Sequence, residues 1–152
     1  MKAAPRVLFL CTGNSCRSQM AEGWARALRP GRVEARSAGV LKKGLDPRAV
    51  SVMREAGVDI GGQHSKTMEE LDPNEFDFVV TLCDAARDTC PAFPGSATVM
   101  HVGFDDPPRL ALEAAGEAEA LTHYRRVRDE IRAFVETLPA SLSIGPTSDE
   151  GE

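Results

Sequence analysis

Val7-Leu8-Phe9-Leu10-Cys11-Thr12-Gly13-Asn14-Ser15-Cys16-Arg17-Ser18 reads as a buried strand, a tight loop and the start of a helix. Consecutive apolar residues without alternation mark a strand covered on both faces. The run stops at Cys11, Gly13 and Asn14 supply the turn, and Ser18 opens the amphipathic series Met20, Trp24, Leu28. A loop that feeds a helix N-terminus presents backbone N–H groups and the positive end of the helix dipole. Such a place holds an oxyanion of phosphate size. Arg17 adds a planar fork that matches two anion oxygens. In that field Cys11 is expected to be a thiolate at neutral pH, because positive potential lowers a thiol pKa. Alone, Cys11 would read as a small buried hydrophobe and Arg17 as a surface charge. Together, as Cys-x5-Arg-Ser between a strand and a helix, they read as a nucleophile in an anion cradle made by Thr12, Gly13, Asn14, Ser15, Cys16, Arg17 and Ser18.

The remaining chain alternates strands with helices. The first strand covers about Arg6–Leu10, and its helix ends near Arg29-Pro30-Gly31. Val33–Ala38 is the second strand. Asp46-Pro47 is an N-cap followed by proline at the first helical position, and Gly57 closes that helix. Thr67-Met68-Glu69-Glu70 has the capping-box pattern. Phe76–Leu82 is the third strand, Ala97–Val102 the fourth, and Phe104–Pro108 an ordered loop. A long helix spans about Ala115–Leu138. These elements predict one α/β domain over residues 1–138, with a four-stranded parallel sheet and helices on both faces in three layers. Residues 139–152 are small, polar and acidic without period, and predict a disordered tail. Parallel strands end on one edge, where ligands bind. Cys11, Ser37, Cys83 and Asp106, far apart in sequence, are therefore expected at one site.

Composition narrows the function. The 152 residues carry a net charge of -5 and are 42% hydrophobic. The acidic balance speaks against a nucleic-acid or anionic-membrane partner. No apolar run reaches the length of a membrane span, and Val7–Leu10 is too short for a signal peptide core. A cytoplasmic location is the resulting expectation. Four cysteines in such a chain point to catalysis or metal binding rather than a structural disulfide framework. Their spacings do not resemble the Cys-x2-Cys pairs of zinc sites, so no metal and no cofactor are expected.

Cys11-Thr12-Gly13-Asn14-Ser15-Cys16-Arg17-Ser18, followed by Gln19-Met20-Ala21-Glu22-Gly23-Trp24, resembles the low-molecular-weight tyrosine phosphatase superfamily. Within it, Thr81-Leu82-Cys83 with Cys90-Pro91 resembles the thioredoxin-coupled arsenate reductases. The resemblance implies strand order 2-1-3-4. It implies that Asp106, immediately before Pro107, is the general acid, with Asp105 the competing candidate. A carboxylate near a bound dianion is expected to hold its proton more tightly. It also implies a relay in which Cys11 attacks arsenic, Cys83 attacks Cys11, and Cys90 carries the disulfide outward for thioredoxin. Reducing arsenate takes two electrons, which two thiols supply on forming one disulfide. If residues 84–89 are helical in the reduced form, forming Cys83–Cys90 requires that segment to unwind, because a disulfide needs closely spaced Cα atoms.

Two other functions use parts of this set. A tyrosine phosphatase keeps Cys11, Arg17 and Asp106 and makes Cys83 and Cys90 spectators, but Pro107-Pro108 offers no aromatic slot. A redox sensor would signal through the disulfide without turning over arsenate. Cys16 reads as a packing residue; His64 and His101 read as ordinary surface or edge histidines, with a base as the alternative role, and His123 is assigned none. Some reductases of the family hold potassium at positions that correspond here to Asn14, Glu22, Ser37 and an aspartate. Lys66 stands at the last of these, and its ammonium is expected to take the place of the cation.

Overall fold

The computed structural model describes residues 4–83 and 96–144. Four parallel strands form the sheet: β1 (Arg6–Cys11), β2 (Glu34–Gly39), β3 (Phe78–Thr81) and β4 (Thr98–His101), in the order β2-β1-β3-β4. Between and after them come α1 (Arg17–Leu28), α2 (Pro47–Glu55), α3 (Pro107–Leu112) and α4 (Glu117–Val135). β1 is central. Cys11 lies opposite Gly39 of β2, Leu10 opposite Thr81 of β3, and Thr81 opposite His101 of β4. This register brings four strand ends to one edge.

The pleat of β1 explains its unbroken apolar sequence. Val7 and Phe9 point into one cluster, and Leu8, Leu10 and Cys11 belong to the other. The first cluster is the main core, formed with Met20 and Trp24 of α1, Val52 and Met53 of α2, and Tyr124, Val127, Ile131 and Val135 of α4. The second cluster takes in Ala38, Phe76, Val79 and Cys83, with Met68 and Leu71 packed against it. Trp24 fixes α1 to α4 by donating its indole N–H to the Arg128 carbonyl at 3.1 Å, with Arg132 over the ring at 5.0 Å.

Local signals hold where they were strongest. Asp46 accepts from the Arg48 N–H at 2.9 Å, Pro47 begins α2, and Gly57 has φ +90°. Thr67 and Glu70 form the capping box of a short 3-10 turn over Met68–Glu70. Two segments differ from expectation. The loop read over Phe104–Pro108 ends early, because Pro107 is the first residue of α3. Proline is favoured there since its missing N–H would have no partner in any case. Residues Ala140–Ile144 form a 3-10 turn, and Leu142 is buried in the main core. The packed chain thus continues past residue 138; residues 145–152 lie outside the described residues. Among the described residues, no helix is long and apolar enough to cross a membrane.

Candidate active site

The loop from Cys11 to Arg17 is held from outside by its carbonyls. Those of Cys11, Thr12, Gly13 and Ser15 accept from the N–H groups of Val40, Leu41, Lys43 and Asp46, at 3.1, 2.8, 3.0 and 3.0 Å. Ser65 donates its hydroxyl to Gly13 as well, at 3.1 Å. In a trans peptide the N–H points opposite to the carbonyl. Turning these carbonyls outward turns the N–H groups of the same peptides inward. Cys16, the N-cap of α1, supplies no side-chain cap, so the first N–H groups of the helix also face the loop.

Asn14 makes the sharp bend, with φ +48° and no exposed surface. Asparagine tolerates this left-handed region better than most side-chain-bearing residues. Its amide donates to Ser18 Oγ at 2.8 Å, and its Oδ1 accepts from the Lys66 N–H at 2.8 Å and Gln19 Nε2 at 3.0 Å. Ser18 therefore serves the site through Asn14. Cys16 turns its side chain into the main core, and burial, with Asp46 adding, pushes its thiol pKa up.

Arg17 lies across the loop and is 6% exposed. Nη1 donates to the Phe104 carbonyl at 2.9 Å, and Nη2 stands 3.6 Å from Asp106 Oδ1. Its Nε is buried and has no hydrogen-bond partner among the described residues. A buried guanidinium donor left without a partner is costly unless a ligand meets it. Asp106 and Asp105 separate cleanly: Asp105 turns outward to Arg126 at 3.0 Å, whereas Asp106 faces Arg17. Two cavities, of about 180 and 340 Å³, meet at Arg17 and Asp106; the first also exposes Cys11 and the second Cys83.

The structure brings Cys83 to Cys11. Cys83 follows β3 and shares a 3.0 Å hydrogen bond with Thr12 Oγ1. Cys11, Cys16 and Cys83 are all unbridged. The expectation of a Cys11 thiolate at neutral pH needs correction. A hydrogen bond with Cys83 and burial push the Cys11 thiol well above its ordinary value, and the charge of Cys83 adds to this. Arg17 and the Thr12 N–H pull it down but do not win. Two adjacent thiols resist ionising together. Cys90 lies outside the described residues.

The residues at the potassium positions do not fit that ion. Glu22 Oε1 accepts from Ser37 Oγ at 2.5 Å, and Oε2 is paired with Arg26. Lys66 is buried beside them, and its ammonium donates to the His64 carbonyl at 3.2 Å. Burial pushes the Lys66 pKa down, while the charge of Glu22 pushes it up.

A Cys-x5-Arg loop closing the first strand of a four-stranded parallel sheet defines the class. The chain belongs to the low molecular weight phosphotyrosine protein phosphatase family, which matches residues 6–144. Its similarity narrows further within that family. It is 47% identical over 135 residues to the arsenate reductase of Bacillus subtilis, covering 86% of this chain and 95% of that one. It is similar at 30% identity and TM-score 0.71 to an arsenate reductase in the phosphate binding state, over 90% of this chain and 98% of that one. It is similar at 26% identity and TM-score 0.68 to the Corynebacterium glutamicum thioredoxin-dependent arsenate reductase, over 94% of this chain and 64% of that one.

Proposed function

We propose that this protein reduces arsenate to arsenite, with Cys11 as nucleophile and Cys83 as the second thiol. The observation that carries this reading is the position of Cys83, bonded to Thr12 in the anion loop and close enough to Cys11 to raise its pKa. Phosphate ester hydrolysis has no use for that second thiol. The curated arsenate reductases to which the chain is similar support the substrate.

Arsenate sits against the inward N–H groups of Thr12, Gly13, Asn14 and Cys16, and Arg17 meets it with Nε. Cys11 Sγ, once deprotonated, attacks arsenic. Asp106 gives its proton to the departing oxygen, which leaves as water, and a sulfur–arsenic bond has replaced an arsenic–oxygen bond. Cys83 Sγ then attacks Cys11 Sγ. The sulfur–sulfur bond forms, the sulfur–arsenic bond breaks, and its electron pair stays on arsenic, which leaves as arsenite. Cys90 attacks Cys83, frees Cys11 and moves the disulfide to Cys83–Cys90. Thioredoxin reduces that disulfide; the thioredoxin-dependent relative supports this partner. The reading places the protein in the cytoplasm, where thiols are kept reduced. Its catalytic unit is residues 1–138, and the turn carrying Leu142 packs against that unit.

Multiple-turnover arsenite production with thioredoxin, thioredoxin reductase and NADPH tests the reading. The wild-type protein turns over many times and Cys83→Ser gives no arsenite. Sustained turnover by Cys83→Ser contradicts it.

A further inference from the structure

We propose that Lys43 is a substrate-binding residue that selects a bare tetrahedral oxyanion over an organic ester; this rests on the arsenate reading above. Lys43 belongs to the segment after β2 whose N–H groups hold the anion loop, and its own N–H bonds the Gly13 carbonyl at 3.0 Å. That bond fixes where its side chain starts. The stem lies directly over Gly13: a Cβ built on Gly13 would stand 2.7 Å from Lys43 Cδ and 2.8 Å from Cγ. Glycine at position 13 thus leaves the space the lysine stem fills. The side chain lines the same 180 Å³ cavity as Cys11, Arg17 and Asp106. Its ammonium makes no ion pair or hydrogen bond among the described residues, whereas its neighbour Lys42 is taken by Glu70 at 3.3 Å. Among the described residues Lys43 is therefore an unpaired cation on the rim, held there through its stem.

The chemistry of the mouth gives it a role. In-line attack by Cys11 puts the leaving oxygen of the anion on the side away from the thiol, toward the mouth. In an ester that oxygen carries the organic group; in a free oxyanion it carries only charge and a proton. The described residues around this mouth offer an ammonium, the Asp106 carboxyl and the ring of Pro108, and no aromatic face. Phe104, the aromatic residue near Arg17, instead turns toward Phe134, with ring centroids 6.3 Å apart. The other carboxylate in the cavity does not compete for Lys43. Asp46 accepts from the Arg48 N–H and from Tyr124 Oη at 2.6 Å. A charge-assisted contact to the exposed oxygen favours the bare anion, and nothing described there rewards an aryl group.

Lys43→Met tests this, since it keeps the stem over Gly13 and removes the charge; Lys43→Arg restores the charge. The residue is exposed, so neither change threatens the fold. The first readout is protection of Cys11 from iodoacetamide by inorganic phosphate, which needs no arsenate chemistry. The expected result is a ~10-fold rise in the phosphate concentration for half-protection in Lys43→Met and recovery in Lys43→Arg. The second is kcat/KM for arsenate set against kcat/KM for p-nitrophenyl phosphate. Lys43→Met should lower the arsenate-to-ester ratio at least ~5-fold, through KM for arsenate. Unchanged phosphate protection, or equal loss on both substrates that disappears in high salt, overturns the assignment in favour of simple long-range steering. Wild-type protein that makes no arsenite overturns the arsenate reading instead, and the phosphate protection still decides whether Lys43 holds the anion.

Discussion

The two walls of the oxyanion site are built differently. The wall formed by residues 11–18 is buried, with four carbonyls tied to the segment after β2 and Asn14 held by Ser18, Gln19 and Lys66. The wall formed by residues 104–112 touches it through the Arg17 bond to Phe104 and the longer Arg17–Asp106 pair. There the Asp106 side chain is 41% exposed, and α3 ends with Leu112 85% exposed. The difference separates two tasks. Donors that stabilise charge work best when fixed beforehand. A proton donor must meet an atom that leaves, and Asp106, proposed above for that role, sits on the wall with fewer anchors.

Breaking the fixed wall should therefore cost most. Cys11→Ser should give no detectable arsenite. Arg17→Lys should lose roughly 10²–10³-fold in kcat/KM, because a point charge does not reproduce a fork and removes the Nε donor. Gly39→Ala attacks the same wall indirectly. Its Cβ would stand 2.4 Å from the Leu41 carbonyl oxygen and 2.7 Å from the Asn14 nitrogen, both backbone atoms. The loop must shift, and about 10²-fold loss in kcat/KM is expected with the fold retained, as circular dichroism can check.

The two aspartates of the second wall should behave differently. Asp106→Asn should lower kcat about 10²-fold. Asp105→Asn, which breaks only the exposed pair with Arg126, should change kcat less than about 2-fold. A reversal of these two effects would exchange their roles.

The smallest effect concerns protonation. The hydrogen bond with Cys83 and burial push the Cys11 pKa up. Its alkylation rate should keep rising with pH above the ordinary thiol range. The hydrogen bond with Cys83 is the largest cause of that rise, so Cys83→Ala should move the Cys11 alkylation curve to lower pH. An unmoved curve would mean that burial alone sets the value.

These walls were not equally legible in the sequence. The fixed one was, because strand, turn and helix follow within one short stretch and each residue's role is local. The Asp106 wall was only partly read. Pro107-Pro108 looked like a loop, although Asp before proline is also a helix start. The arrangement that places Phe104 O on Arg17 has no sequence signal. The environment of the Cys11 thiol is only half legible in the sequence, for a related reason. The field of Arg17 is a neighbour effect visible in the motif, whereas the opposing contact with Cys83 exists only after β3 pairs with β1. Lys43 has no signature in the sequence, because its approach to Gly13 depends on the hydrogen bonds between two loops. Lys66, by contrast, is legible from its position in the family pattern, and it is buried beside Glu22.

The central claim is that Cys11 and Cys83 together supply the two electrons. It is tested most directly by giving reduced Cys90→Ser protein arsenate without thioredoxin, then counting arsenite and mapping disulfides by mass spectrometry without reduction. The account predicts about one arsenite per chain, matched by a Cys11–Cys83 disulfide. Arsenite formed with Cys83 still a free thiol would contradict it.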